Sequence, residues 1–269
     1  MVFPKLSGRL LIAIPGIALF LVVLFKLPVL WGVFLFSTLA LLAGYESTAL
    51  CVPHGLNEFS RVLVAFFAGV STYFIAVEHV LQIPALILPG AAVAVSILHS
   101  SGPVHSRRRI AGTAGLASLY AMGFGLMGRL FLSMGPWVIL VVLAICWVGD
   151  SAAYFVGVSM GKNKLMPKVS PKKSWEGLFG GLAGSIVGAL GAGYFTEIPF
   201  VSLLVLGFAG GVAGVYGDLF ESALKRDAGV KDSSSILLGH GGILDRFDSA
   251  VVVAPVAMVV LHLFGLISK

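Results

Sequence analysis

Charge is scarce in this chain. Only 11% of its 269 residues are Asp, Glu, Lys or Arg, whereas 58% are hydrophobic; soluble proteins carry about a quarter charged residues. That shortage excludes an ordinary water-soluble domain and points to a bilayer, whose lipid tails cover apolar surface that water would expel. Cysteine is scarce too. Cys51 and Cys146 stand apart in or near apolar segments without metal-ligand spacing, so they read as structural thiols. A P-loop is absent: the Gly161-Lys162 step has the wrong spacing before it, and Asn163 follows where Ser or Thr is required. Internal repeats, low-complexity tracts and a separate soluble domain are also missing, which leaves one integral-membrane domain over 1–269.

What is present is a series of apolar runs. An all-α, polytopic transmembrane fold of about nine spans is expected, each span near the ~20 residues a helix needs to cross. The limits read as 9–25, 28–46, 61–78, 80–98, 110–128, 135–157, 176–195, 199–223 and 249–267. Lys5 and Arg9 precede the first run without a small-residue cleavage site, so that run reads as a span and not a cleaved signal. Val52–Ser60 reads as an amphipathic or re-entrant tail. The 34 glycines suit closely packed membrane helices, and a homodimer is a guess from the same glycines.

The basic residues set an orientation. With nine spans, fifteen Lys and Arg fall on the side of the N-terminus, and only Lys26, Arg129 and Lys269 on the other. The positive-inside rule then puts the N-terminus and the long basic loops in the cytoplasm. The net charge of +6 does not imply nucleic acid, because the basic groups sit on membrane loops. The multi-pass protein is expected in the cell (inner) membrane.

The remaining charge is concentrated. Asp218 to Ser249 holds six of the twelve acidic residues and four of the eighteen basic ones. Asp218, Glu221, Ser222 and Lys225 share a helical face, and Asp245, Asp248 and Ser249 are expected at i, i+3 and i+4 of the ninth helix. Two helix ends with inward carboxylates would suit Mg²⁺ with waters and substrate phosphates. Gly241 and Gly242 after His240 let backbone approach a ligand closely, and Lys225, Arg226, Lys231 and Arg246 offer positive charge to phosphate oxygens. The bland alternative is a solvated loop of salt bridges.

Two further blocks carry polar groups. Asp150 lies in an otherwise apolar run with Trp147 and Tyr154 on its face; an intramembrane carboxylate is a functional candidate, the alternative being a helix-packing Asp. Gly161–Gly177 contains five lysines, suited to polyphosphate or anionic lipid, or simply to setting topology. Ser174 can cap the following helix, whose first turn carries Glu176.

These three blocks resemble the phosphatidate cytidylyltransferases (CDP-diacylglycerol synthases). The residues are Asp150-Ser-Ala-Ala-Tyr154; Ser170-Pro-Lys-Lys173-Ser174-Trp-Glu-Gly177; and Ser222-Ala-Leu-Lys225-Arg226 through Lys231-Asp232 to His240-Gly241-Gly242-Ile-Leu-Asp245-Arg246-Phe-Asp248. Leu238 stands where that family usually has Pro or another small turn residue. The resemblance covers the C-terminal half (135–269), leaving residues 1–100 as hydrophobic helices without an assigned role.

The resemblance implies that CTP and phosphatidic acid give CDP-diacylglycerol and pyrophosphate at a cytoplasmic-face site requiring Mg²⁺, a second cation being left open. Asp218 and Asp245 would hold the metal centre, with Asp248 as a further ligand or a partner of one, and Asp150 assisting. Lys173, Lys225, Arg226, Lys231 and Arg246 would bind triphosphate or lipid phosphate. His240, Gly241 and Gly242 would shape the nucleotide cradle, with Ser174, Ser222 and Tyr154 as polar contacts. A CTP-dependent prenol kinase, a cytidylyltransferase for another lipid and an ion-coupled transporter are the alternatives.

Overall fold

The computed structural model describes residues 6–51, 58–77, 107–234, 236 and 241–267, with side chains described from Ile14 in the first helix and from Gly112 in the fourth. The expected span over 80–98, residues 52–57 of the expected tail, Leu238 and His240 lie outside the described residues. Helices dominate, because in lipid a spanning backbone must satisfy its own N–H and C=O groups. In chain order they are α1 (Leu6–Lys26), α2 (Val29–Cys51), α3 (Glu58–Val77), α4 (Arg107–Met134) and α5 (Pro136–Met160). After a hairpin follow α6 (Trp175–Gly193), α7 (Phe200–Asp227), the single turn α8 (Leu244–Phe247) and α9 (Ala250–Leu263).

Several ends are written in the sequence. Gly135 takes φ 79° to turn the chain, and Pro136 opens α5, where its missing N–H costs nothing. By length and composition, six helical stretches among the described residues can cross a membrane: 29–51, 58–77, 112–134, 136–160, 200–227 and 244–263. Helix α6 lies where the seventh span was expected, but its seven glycines dilute its hydropathy and it falls outside that set.

Two expectations need correction. Residues 164–174, expected as loop, form an antiparallel hairpin of β1 (Lys164–Met166) and β2 (Ser170–Ser174), with Lys164 opposite Ser174 and Met166 opposite Ser170. The turn closes through Val169 N–H to Met166 O at 3.1 Å, with Pro167 pre-setting its first corner. The expected continuous start of the ninth helix is also broken. α8 ends at Phe247 and α9 begins at Ala250, with Asp248 and Ser249 in the turn between them.

The chain divides into two compact units, one of residues 1–128 with 228–246, the other of 129–227 with 247–269. In the first, small residues let the helices meet. A Cβ on Gly44 of α2 would lie 2.9 Å from the Ala68 Cβ of α3, and one on Gly125 of α4 would lie 2.6 Å from the Ile75 Cβ. Thr72 Oγ1 shares its one proton between Ala68 O of its own helix at 3.0 Å and Ala121 O of α4 at 3.1 Å. Phe36, Tyr120, Phe124 and Met127 fill this core. In the second unit, Gly181, Gly184 and Gly188 of α6 lie against α5. Ser185 Oγ donates to Ile145 O at 2.9 Å, and Gly207 brings α7 onto the backbone of α6. Small-residue contacts of this type replace the hydrophobic drive that lipid cannot supply.

Gly125→Ala should therefore lower stability in detergent by about 1–3 kcal/mol through overpacking. Gly115→Ala, on the same helix with nothing within 4 Å of its Cβ, should be neutral or stabilising. Thermal unfolding of the two variants checks the pair.

Candidate functional site

The second unit gathers carboxylates around one lysine. Alternation along β2 leaves Lys172 exposed and turns Lys173 inward, where its Nζ pairs with Asp218 Oδ2 on α7. Ser222, one turn on, donates its Oγ to Asp218 Oδ1 at 3.2 Å. Asp150 of α5 and Asp248, just ahead of α9, both lie within electrostatic reach of Asp218. Asp248 Oδ1 accepts the Ser249 N–H at 2.6 Å, while Ser249 Oγ donates to Gly214 O at 3.0 Å and ties the entry of α9 to α7. Among the described residues no three or more His, Cys, Asp or Glu side chains form a ready-made metal cage. Asp150 and Asp248 beside the lysine-paired Asp218 nevertheless leave carboxylates in excess of that one lysine, a donor set of the kind that suits a hard cation completed by substrate phosphates.

The hairpin that carries Lys173 is held at both ends. Ser174 Oγ accepts the Gly177 N–H at 3.1 Å as the N-cap of α6, the capping role expected for it. Glu176 accepts from Asn163 Nδ2 at 2.8 Å and from the Asn163 N–H. Its own backbone N–H and then Asn163 hold its carboxyl below the usual range.

The first unit presents a different construction. Glu46 of α2 is 1% exposed, yet its carboxylate accepts four hydrogen bonds. Ser234 Oγ at 2.8 Å and the Ile243 N–H at 2.9 Å reach Oε1. Ser233 Oγ and the Leu244 N–H, both at 3.0 Å, reach Oε2. Asp245 Oδ2 takes the Ser233 N–H at 2.8 Å, Ser233 Oγ at 2.9 Å and the Gly242 N–H at 2.8 Å. A hydroxyl has one proton, so Ser233 Oγ can serve only one of the two carboxylates at a time. Tyr120, buried on α4, donates its OH to Leu244 O at 2.8 Å. Gly241 has φ 78°, a conformation that suits glycine, and a Cβ on Gly242 would collide with Glu46 Oε2 and Ser233 Oγ.

The structure brings Asp150, Lys173, Asp218, Ser222 and Asp248 together in the second unit, and Gly241, Gly242 and Asp245 together in the first. Asp218 and Asp245 belong to different units. Lys225 is buried and binds Glu221 Oε2 at 2.9 Å, an internal pair on α7. Arg226, Lys231, Arg246 and Tyr154 are exposed. Glu46, Ser233, Ser234 and Tyr120 were not anticipated. Glu46 had a signal: it is an acid inside an apolar run, which marks Asp150 by the same rule.

Comparison with known proteins adds an independent line. A family model described as the cytidylyltransferase family matches residues 7–264. A Thermotoga maritima protein named phosphatidate cytidylyltransferase is 35% identical over 244 residues, covering 85% of this chain and 87% of that protein. A Pseudomonas aeruginosa protein of the same name is 39% identical over 238 residues, 84% of this chain and 83% of its own length. A Bacillus subtilis protein, again so named, is 42% identical over 159 residues, 56% of this chain and 59% of its own. The match thus spans under two thirds of the Bacillus relative, and 44% of one from Haemophilus influenzae.

Ser174→Ala should cost about 0.5–2 kcal/mol, the usual loss for an N-cap hydroxyl, and denaturation of the purified variant in detergent reads it directly.

Proposed function

Because this chain belongs to the cytidylyltransferase family, we propose that it transfers CMP from CTP to phosphatidate. The products are CDP-diacylglycerol and pyrophosphate. A phosphatidate phosphate oxygen attacks the α-phosphorus of CTP, a new P–O bond forms, and the α–β bridging oxygen leaves with pyrophosphate. No protein nucleophile is needed. The observation that carries the reading is the Lys173–Asp218 pair flanked by Asp150 and Asp248, inside the sequence blocks that resemble this family.

Asp218, with Asp150 and Asp248, would hold Mg²⁺. When bound, the ion supplies positive charge at phosphate oxygens where charge develops during displacement. Lys173 presents an ammonium beside Asp218 and would neutralise a phosphate oxygen there, while Ser222 orients the Asp218 carboxylate through Oδ1. Lys225 acts by fixing Glu221, and exposed Arg226 and Tyr154 offer contacts for phosphate or headgroup. In the first unit, Asp245 orders the turn through Gly241 and Gly242, and exposed Lys231 and Arg246 supply cationic groups for phosphate. His240 is proposed to contact nucleotide. Six apolar helical stretches support a multi-pass enzyme of the cell membrane, and the basic residues, divided fifteen to three on a count of nine spans, would put its site at the cytoplasmic face.

Purified protein given CTP, phosphatidate and Mg²⁺ should release pyrophosphate, lose turnover with a chelator and regain it with Mg²⁺. Asp218→Asn should lower kcat by about 10²-fold or more, the scale of losing one preorganised charge at a phosphoryl centre. Full turnover in Asp218→Asn, or turnover only with another lipid acceptor, refutes the reading.

A further inference from the structure

We propose that Glu46 is a positioning residue for the loop that carries Gly241, Gly242, Asp245 and Arg246, which gives the N-terminal helices a role in the reaction. This rests on the function proposed above. A carboxylate has about four lone-pair sites; those of Glu46 meet Ser234 Oγ and the Ile243 and Leu244 N–H groups, with Ser233 Oγ shared between Glu46 and Asp245. Burying such a group costs several kcal/mol unless its hydrogen bonds are complete. The donors are neutral hydroxyls and amides from two loop segments nine residues apart, Ser233–Ser234 and Ile243–Leu244. One carboxylate therefore ties Ser233–Ser234 to Ile243–Leu244.

The tie is rigid on the helix side. Glu46 sits two residues beyond Gly44, where α2 meets Ala68 of α3 at 2.9 Å for a built Cβ. Tyr120 holds Leu244 O from α4 at 2.8 Å, so Leu244 is fixed through both its N–H and its carbonyl. Gly242 belongs to the same design, because any Cβ there would strike Glu46 Oε2 and Ser233 Oγ. Its glycine is explained by the approach of Glu46, independently of any ligand. Asp245 and Arg246 follow directly after the pinned residues, and Asp245 Oδ2 reaches back to Ser233 and Gly242. A displacement of the clamp passes straight to those side chains.

Glu46→Gln separates this role from bulk stability. The amide keeps the size but turns two donors of its own toward donors of the loop, whereas Glu46→Asp keeps four acceptor sites on a shorter stem. Gly125→Ala serves as a purely packing lesion in the same unit. Glu46→Gln should raise hydrogen exchange at the Ile243 and Leu244 amides and lower kcat by about 10- to 10²-fold, the scale of a ~1 Å misplacement, with KM for CTP little changed. Glu46→Asp should recover part of kcat. At an equal fall in melting temperature, Gly125→Ala should keep kcat. Ser234→Ala, which removes one of the four donors, should give a smaller loss in the same direction and supplies the reading if Glu46→Gln does not fold. Wild-type kcat in Glu46→Gln, or a loss no greater than that of equally destabilised Gly125→Ala, overturns the proposal. So do unchanged exchange at 243 and 244 and, where Glu46→Gln does not fold, wild-type kcat in Ser234→Ala. If wild-type protein makes no lipid product, the function fails, while the exchange measurement still decides whether Glu46 holds the loop.

Discussion

A carboxylate among apolar helices must have its lone pairs satisfied, since a low-dielectric interior makes each unmet one costly. This chain meets that constraint in two ways, and the placement of its polar segments follows from them. Glu46 is satisfied by neutral donors from Ser233–Ser234 and Ile243–Leu244, so those two segments are tied together through it. Asp218 is satisfied by Lys173 and Ser222, and Lys173 arrives on a hairpin whose base is capped by Ser174 and tied by Glu176 to Asn163. The first solution is nearly closed: three donors serve Glu46 alone, and Ser233 Oγ is shared with Asp245. The second leaves acidic charge in excess, with Asp150 and Asp248 near the same lysine-bound carboxylate. A closed set organises; an unbalanced one is suited to receiving a cation and phosphates.

Most helix limits were legible because the bilayer restricts the answer. The expected 135–157 and 199–223 compare with Pro136–Met160 and Phe200–Asp227, and in each case a proline stands at the start. Packing explains what was not legible. The Ser-Pro-Lys-Lys strand shows no hydrophobic alternation, so nothing local announced a hairpin. The step between Phe247 and Ala250 holds Ser249, whose hydroxyl goes to Gly214 O on another helix, a tertiary contact that helical periodicity cannot report.

The site residues were legible in part for the same reason. Asp150 was found as an acid out of place in an apolar run, Asp218 and Asp248 as helix-end carboxylates of the charged stretch, and the three lie near one another. Lys225 was read as a phosphate contact from its helical face, yet the residue one turn earlier on that helix, Glu221, takes it up. Glu46 carried the same signal as Asp150 but sat outside the recognisable blocks. Its partners lie 187 to 198 positions away in the chain, so only folding reveals what it does.

On the proposed function, the chain brings a water-soluble polyphosphate to a lipid phosphate. The fate of the CTP phosphates tests this most directly. With purified protein, Mg²⁺ and phosphatidate, CTP labelled at the α-phosphorus should pass its label into the lipid, while label at the γ-phosphorus should appear only in pyrophosphate. Label from the γ-position in the lipid, with none from the α-position, would make the enzyme a kinase and contradict the account.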